Sequence, residues 1–391
     1  MNDLKQSNKT YFYFIMLYAF TYMGNAIYFT YMPVYLNQIG FAQTAIGTLL
    51  SLGPFVSIIA QPVWGMAGDR AKSKLSILKI LLLGSGIAVL FYPASTAFAY
   101  LFLLMALFAF FQMPINSMCD AVTLEYLEKT RWKFGPIRMA GTMGFAVMAV
   151  AAGAVAELNI LGIFLLYSLI AGIAFLVTFR LPSVRGHQSG REKVPLWQLF
   201  RNGPLMIMMS FNLIIQITIG FYYSFFSIYY RQMGADHSLI GWAMFISAAS
   251  ELPFLFLADR IIKRVKIPYI FIASSAAAAL RWFLMYRVQH PYWVLPIQTL
   301  HGLIFIVLVF TLATYINREV PKELKASGQT LNGLVTLGLA RIIGSLLGGA
   351  LSERIGIRQV FLWNALLVLL TMLIYGGFFI WQERKRKKER A

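Results

Sequence analysis

The chain has 391 residues, of which 59% are hydrophobic and only 13% are charged. A water-soluble protein of this composition would lack the polar residues that a wetted surface requires, so a soluble fold is excluded. The formal net charge of +19 does not indicate a nucleic-acid partner, because the basic residues form short clusters between apolar segments. We therefore expect the lipid bilayer to be the solvent of most of this chain.

Apolar segments of about 20 residues, the length that a helix needs to cross a bilayer, recur from Tyr11 to Trp381. Helices satisfy their own backbone hydrogen bonds in lipid, and the alternating pattern of barrel strands is missing. We predict an all-α membrane protein with twelve transmembrane helices in two pseudo-symmetric six-helix bundles around a central substrate pathway. The predicted helices are 11–38, 43–67, 75–96, 98–126, 136–156, 160–180, 204–231, 238–259, 267–287, 292–316, 326–351 and 357–381.

Residues 181–203 form the longest polar stretch of the chain and contain several prolines and glycines. We expect this stretch to be a cytoplasmic linker between an N-terminal bundle, residues 1–180, and a C-terminal bundle, residues 204–391, which ends in a basic tail. The first apolar segment lacks the cleavage pattern of a secretory signal, so we expect it to be retained as the first helix. The single cysteine, Cys119, cannot form an intrachain disulfide, and we expect a monomer.

The basic residues are distributed unequally between the two sides of a twelve-helix chain. The side that also holds both termini receives Lys5, Lys9, Arg70, Lys72, Lys74, Lys129, Arg131, Lys133, Arg185, Arg191, Lys193, Lys263, Arg264, Lys266, Lys322, Lys325 and the tail from Arg384 to Arg390. The opposite side receives only Arg231, Arg287, Arg354 and Arg358. Because cytoplasmic loops carry an excess of Lys and Arg, we predict a multi-pass protein of the cell (inner) membrane with both termini in the cytoplasm.

Two pairs of similar segments suggest that the halves are repeats of one another. Segment 65–74 reads GMAGDRAKSK and segment 257–266 reads LADRIIKRVK, so an acidic residue followed by a basic one recurs in the second half. The fifth and eleventh predicted helices each place an arginine three residues before a glycine, namely Arg138 before Gly141 and Arg341 before Gly344. Parallel repeats of this kind occur in transporters whose substrate site lies near the membrane midplane.

The turn after the second predicted helix, with Gly65, Asp69, Arg70 and Lys74, resembles the loop signature of the major facilitator superfamily. Within that superfamily the chain is similar along most of its length to the lactose permease and phenylpropionate permease group. The similar segments are QPVWGMAGDRAK (61–72), DAVTLEYL (120–127), KFGPIRMAGTMGF (133–145), SELPFLFLAD (250–259), LRW (280–282) and QTLH (298–301). The resemblance implies a gating loop at this turn, with Asp259 and Arg260 as its counterpart in the second half.

Charge inside a membrane span is costly, so we select six ionisable residues of the predicted spans as candidates for function: Asp120, Arg138, Glu251, Arg281, His301 and Arg341. The resemblance implies that Asp120 and Arg138 hold the substrate and that Phe145 stacks against it. An arginine fork can bind hydroxyls or a carboxylate, and a neighbouring acid balances its charge. We assign Arg281 and Arg341 to substrate binding as well. A purely structural ion pair of Asp120 and Arg138 is the alternative.

Proton coupling departs from the family pattern. Arg281 and His301 match a coupling pair of the lactose permease group, but Ile304 stands where that group has the acid that carries the proton. Glu251 is the acid placed within a predicted span of the C-terminal half, so it is our first candidate for proton coupling. His301 is the second candidate, because an unperturbed imidazole titrates near working pH.

Other residues have simpler expected roles. The aromatic run FYYSFFSIYY (221–230) is expected to face lipid and the membrane interfaces, although Tyr222, Tyr223 and Tyr229 could reach a cavity. Small residues let helices approach closely. The glycines expected to act in this way are Gly141, Gly144, Gly344, Gly348 and Gly349.

We predict a secondary active transporter, a proton symporter, that imports a small organic solute by alternating access. The interior set of three arginines and two acids favours an aromatic or other organic monoanion slightly, whereas the Asp120 and Arg138 pair favours a sugar or a nucleoside. A transporter-like membrane sensor or a lipid flippase is the alternative of another class. The sequence contains neither a phosphate-binding loop nor an HExxH metal helix, so we expect no enzyme activity, no cofactor and no metal. The expected partners are the substrate, protons and the lipid bilayer.

Overall fold

A computed structural model describes residues 2–128, 130–183, 199, 201–320 and 324–388. This part of the chain is helical and contains no strand. The predicted linker falls largely on residues 184–198 and 200, which lie outside the described residues. The α-helices are α1 Asn2–Gln38, α2 Gln43–Arg70, α3 Lys74–Ala88, α4 Phe98–Gln112, α5 Pro114–Leu127, α6 Phe134–Leu158, α7 Gly162–Thr178, α8 Gly203–Gln232, α9 His237–Ala249, α10 Leu252–Arg264, α11 Ile267–Arg287, α12 Val294–Gln298, α13 Phe305–Glu319, α14 Lys325–Gly333, α15 Ala340–Ile355 and α16 Ile357–Lys388.

In the described residues, 11 helical segments are long and apolar enough to cross a membrane. A further apolar helix, Gly162–Thr178, is shorter at 17 residues. Some spans consist of two helices in series, such as Phe98–Leu127, which contains α4 and α5. The predicted all-α membrane fold is confirmed, and the twelve segments agree with the predicted number of spans.

Three spans of the second half are interrupted where the sequence predicts continuous helices. The span that begins at His237 breaks between α9 and α10, because Pro253 lacks the amide hydrogen that would continue the helix. The next interrupted span passes through a 3₁₀ segment, Thr299–Leu303, between α12 and α13. The third contains a π-helical segment, Leu334–Leu339, before α15. Irregular backbone inside a membrane span is tolerated where it is buried in protein or lines a cavity.

A glycine turn recurs at matching places in the two halves of the chain. Gly40 follows α1 with φ 95°, and Gly234 follows α8 with φ 88°. The surrounding sequences, QIGFAQTAIG (38–47) and QMGADHSLIG (232–241), share the same spacing of glycines. A positive φ is costly for residues other than glycine. The two turns therefore add a local structural match to the sequence repeat.

The chain divides into two compact units, residues 1–191 with 230–245, and residues 192–229 with 246–391. In the first unit α1 packs mainly against α6 and α7, and in the second α11 packs mainly against α16. Glycines permit the closest approaches. A Cβ on Gly144 of α6 would lie 2.5 Å from the carbonyl oxygen of Ala19, and one on Gly344 would lie 2.4 Å from that of Ile217. The predicted packing role of these glycines is confirmed.

Replacing Gly144 by Val should destabilise the first unit by about 1–3 kcal/mol, the usual cost of forcing extra atoms into a packed contact. Gly172→Val is the matched control, because a Cβ on Gly172 of α7 meets no atom within 4 Å. Melting temperatures of the purified variants in detergent measure the effect. Equal melting temperatures for the two variants would contradict the packing role of Gly144.

The aromatic run 221–230 of α8 corrects one sequence expectation. Tyr222 is 0% exposed and Tyr229 is 2% exposed, and Tyr223 is the only member of the run that is not fully buried. The prediction of a lipid-facing belt is therefore wrong. The span that contains α8 is the most buried of the described spans, so the rings pack against protein on all sides of the helix.

Outside the spans, Lys266 precedes α11 and pairs with Glu383 near the end of α16. The hydrogen bond from Lys266 to this carboxylate, together with its negative charge, raises the pKa of the ammonium group. Tyr269 donates a second hydrogen bond to Glu383 at 2.5 Å. These contacts link the last helix to the start of α11.

Candidate functional site

The first unit holds a half-buried pair of opposite charges, Asp120 on α5 and Arg138 on α6. Tyr18 of α1 donates a hydrogen bond to Asp120 Oδ1 at 2.5 Å. The guanidinium carbon of Arg138 lies 4.4 Å from the centre of the Tyr22 ring. Asp120 and Arg138 interact electrostatically, yet neither is among the salt bridges of the described residues, because each side chain is held by a tyrosine instead.

An apolar core fixes the backbone of these helices. Tyr18, Cys119 and Ile137 belong to one buried cluster, and the last two immediately precede Asp120 and Arg138 in sequence. Phe145, two helical turns after Arg138, is half-buried and available for contact. The arrangement presents a carboxylate acceptor, a guanidinium donor and aromatic rings on a rigid support. Such a set can bind a solute that offers hydroxyl groups and a flat or apolar face.

The second unit holds a more enclosed polar network around Arg281 of α11, which is 0% exposed. Its Nη2 donates to Gln298 Oε1 at 2.5 Å, and the hydroxyl of Tyr222 donates to the same oxygen at 2.8 Å. Its Nη1 lies 2.8 Å from Nδ1 of His301. The guanidinium also lies over the rings of Tyr222 and Trp282. Arg281 is thus already surrounded by protein groups.

The hydrogen bond from Arg281 determines the protonation state of His301. A guanidinium can only donate, so Nδ1 of His301 must accept and the imidazole proton must reside on Nε2. Nε2 lies 3.0 Å from the hydroxyl of Tyr223 and 3.4 Å from Oε1 of Glu251. In this arrangement His301 is neutral, because Nδ1 accepts the hydrogen bond from the permanently charged Arg281 and cannot carry a proton as well.

Two of the helix breaks bring Glu251 and His301 together. Glu251 lies at the break between α9 and α10, and His301 lies in the 3₁₀ segment before α13. The amide of Gly302 donates to Oγ of Ser250 at 2.9 Å. A Cβ on Gly302 would lie 1.8 Å from the Ser250 carbonyl oxygen, so only glycine permits this approach. Continuous helices could not provide the contact, which is why sequence periodicity does not reveal it.

Arg341 lies directly after the π-helical segment, and its guanidinium carbon is 4.0 Å from the centre of the Tyr223 ring. Tyr223 therefore contacts both His301 and Arg341. Arg341 is half-buried, unlike Arg281. Single π-helical turns often occur at functional sites, and this one positions Arg341 beside the Glu251 and His301 pair.

The predicted gating loop is joined to α5 by an acidic residue that was not predicted from the sequence, Glu125. Lys74 at the start of α3 lies 3.6 Å from Asp69 and 2.8 Å from Glu125 of α5. Gly65 is half-buried, whereas Asp69 and Arg70 are exposed. In the second half Arg260 is exposed, and the side chain of Asp259 lies outside the described residues.

Tyr18, Tyr22, Gln298 and Glu125 contact predicted site residues but were not themselves predicted. Their side chains are ordinary in type, and most of their partners lie far along the chain; Tyr18 and Asp120, for example, are 102 positions apart. The one sequence feature that indicates any of them is segment 298–301, which contains both Gln298 and His301.

Comparison with known proteins shows that the chain is similar to membrane transporters. Residues 10–363 match the MFS_1 like family. The maltose permease of Geobacillus stearothermophilus is 26% identical over 367 residues, which cover 93% of this chain and 92% of the permease. An Escherichia coli protein named "Probable 3-phenylpropionic acid transporter" is 21% identical over 91% of this chain and 94% of its own length. The crystal structure of the nucleoside transporter NupG superimposes with a TM-score of 0.84 at 18% identity, covering 94% of this chain and 98% of NupG.

Proposed function

Because the chain belongs to the MFS_1 like family and is therefore a membrane transporter, we propose that it imports a neutral, hydroxyl-rich organic solute, a sugar or a nucleoside, together with protons. The cell inner membrane, with both termini in the cytoplasm, is the proposed location, on the basis of the basic clusters described above. The proposed substrate-binding residues are Asp120, Arg138 and Phe145. The proposed gating residues are Gly65, Asp69 and Arg70, with Asp259 and Arg260 in the second half.

The observation that carries the substrate class is the separation of Asp120 and Arg138. Each is half-buried and oriented by a tyrosine rather than by the other. A carboxylate and a guanidinium that form no direct salt bridge with each other can accept from and donate to neighbouring hydroxyls of one solute. The maltose permease and the nucleoside transporter named above carry solutes of this kind, which supports the proposal.

An organic monoanion is the second candidate, supported by the similarity to the 3-phenylpropionic acid transporter. The geometry of Arg281 favours it less. This guanidinium is fully buried and both of its Nη atoms are already engaged, by Gln298 and His301, so an incoming carboxylate could make two hydrogen bonds to it only by displacing at least one of them. Arg341, which is half-buried, would remain as the residue of the second unit for an anion.

Proton coupling is proposed for Glu251. The neutral tautomer of His301 supports this choice, because His301 has no free nitrogen for a second proton while Arg281 donates to Nδ1. Glu251 has a side chain that is 14% exposed, and its Oε1 lies 3.4 Å from Nε2 of His301, the nitrogen that carries the imidazole proton.

A binding screen followed by flux measurement tests the proposal. Purified protein is heated with maltose, other disaccharides, nucleosides and 3-phenylpropionate, and the solutes that raise the melting temperature are assayed for uptake into proteoliposomes with and without an inward pH gradient. We expect sugars or nucleosides to stabilise the protein and to accumulate with the gradient. Stabilisation by 3-phenylpropionate alone would overturn the substrate class, and binding without flux would favour a sensor.

A further inference from the structure

A groove of about 590 Å³ lies at one end of α11, away from the residues discussed above. Leu284, Val288 and Ile297 line its apolar part, and Arg287 and His290 contribute basic groups to its polar rim. Both basic side chains are exposed. The groove thus combines an apolar surface with positive charge at one edge.

The groove lies at the expected level of the lipid headgroups. Arg287 is the last residue of one span and Pro291 is the first of the next, so the turn between them is at the membrane surface. Trp293, which lines the groove, is 68% exposed, and neighbouring Tyr292 is 63% exposed. Exposed Trp and Tyr at the ends of spans are typical of the membrane interface.

The residues that line the groove include two basic side chains and no acid. The sequence has no Asp or Glu from residue 261 to residue 318, and Arg287 is in none of the salt bridges found in the described ranges. A further basic group, Arg358 at the start of α16, donates to the carbonyl oxygen of Val288 at 3.2 Å. This contact holds the turn in place and adds positive charge beside the groove.

We propose that the groove is a binding site for an anionic glycerophospholipid, with the lipid phosphate on Arg287 and His290 and an acyl chain along Leu284 and Val288. Arginine presents several donors in a planar fork that matches the geometry of a phosphate. A free phosphate would occupy the rim only and would leave the apolar part of the groove unused. The membrane supplies a molecule with both chemistries at this depth.

Native mass spectrometry of the full-length protein in detergent tests this site by titration with dioleoyl phosphatidylglycerol or dioleoyl phosphatidylcholine. We expect the double variant Arg287→Gln/His290→Gln to bind phosphatidylglycerol about tenfold more weakly, since charge-assisted hydrogen bonds are lost, while weak phosphatidylcholine binding is unchanged. Trp293→Ala should weaken binding of both lipids. The matched control is Arg354→Gln, which removes an exposed arginine at the end of α15 that does not line the groove.

Equal phosphatidylglycerol binding by the double variant and by Arg354→Gln would overturn the site. A second measurement is the competition of soluble glycerol phosphate with phosphatidylglycerol for the site. If it displaces phosphatidylglycerol at comparable concentration, the rim alone binds anions and the lipid assignment fails. If it does not compete, the apolar contacts of the acyl chain are required, as proposed.

Discussion

Arg138→Ala should weaken substrate binding at least about a hundredfold while the protein remains inserted and monodisperse. The guanidinium can make two charge-assisted hydrogen bonds to the solute, each worth about 1.5–3 kcal/mol, and the truncated side chain can make none. Within the protein the guanidinium contacts the Tyr22 ring at 4.4 Å and interacts electrostatically with half-buried Asp120, and we expect the fold to survive the loss of both. Binding is measured by calorimetry or by the thermal shift of the best solute from the screen.

Two companion variants separate recognition from charge. Arg138→Lys keeps the positive charge but loses the planar fork, so we expect intermediate affinity. Arg180→Ala removes an exposed arginine at the end of α7 in the same unit and should bind like the unmodified protein. If Arg138→Ala binds normally, or if it and Arg180→Ala lose affinity equally, the substrate-binding role of Arg138 is wrong.

Glu251→Gln should exchange substrate across the membrane but should not accumulate it against a gradient. A symporter couples two fluxes because one group is protonated in the loaded state and releases its proton inside. Glutamine mimics the permanently protonated acid, so the loaded carrier can still cycle while the pH gradient no longer drives it. Proteoliposomes preloaded with unlabelled substrate measure exchange, and an imposed pH gradient measures accumulation.

Glu319→Gln provides the matched control, because Glu319 is an exposed acid at the end of α13 in the same unit. It should accumulate substrate normally. His301→Gln should keep gradient-driven uptake at a reduced rate, since a glutamine oxygen can still accept from Arg281 and the proton site is retained. If Glu251→Gln still accumulates substrate, Glu251 is not the coupling acid. If, in addition, His301→Gln accumulates none, the coupling role belongs to His301.

Features that depend on one segment at a time could be predicted from the amino-acid sequence. Apolar length predicts the spans because each helix must satisfy its backbone within the bilayer. The ionisable residues Asp120, Arg138 and Glu251 stand out because charge inside a span is costly. The glycines of α6 and α15 could be assigned to packing, because small residues recur where helices touch.

The contacts between these groups became visible in the three-dimensional structure. It showed that α8 is a buried helix, so its aromatic run packs in the core, whereas a hydropathy pattern cannot distinguish lipid from protein as the apolar neighbour. It also showed the breaks at Ser250 and Gly302, which bring Glu251 within 3.4 Å of His301. The state of His301 follows from Arg281 Nη1, a donor 20 residues earlier. Such contacts depend on the register between helices, which is fixed by side-chain packing and not by the composition of either helix.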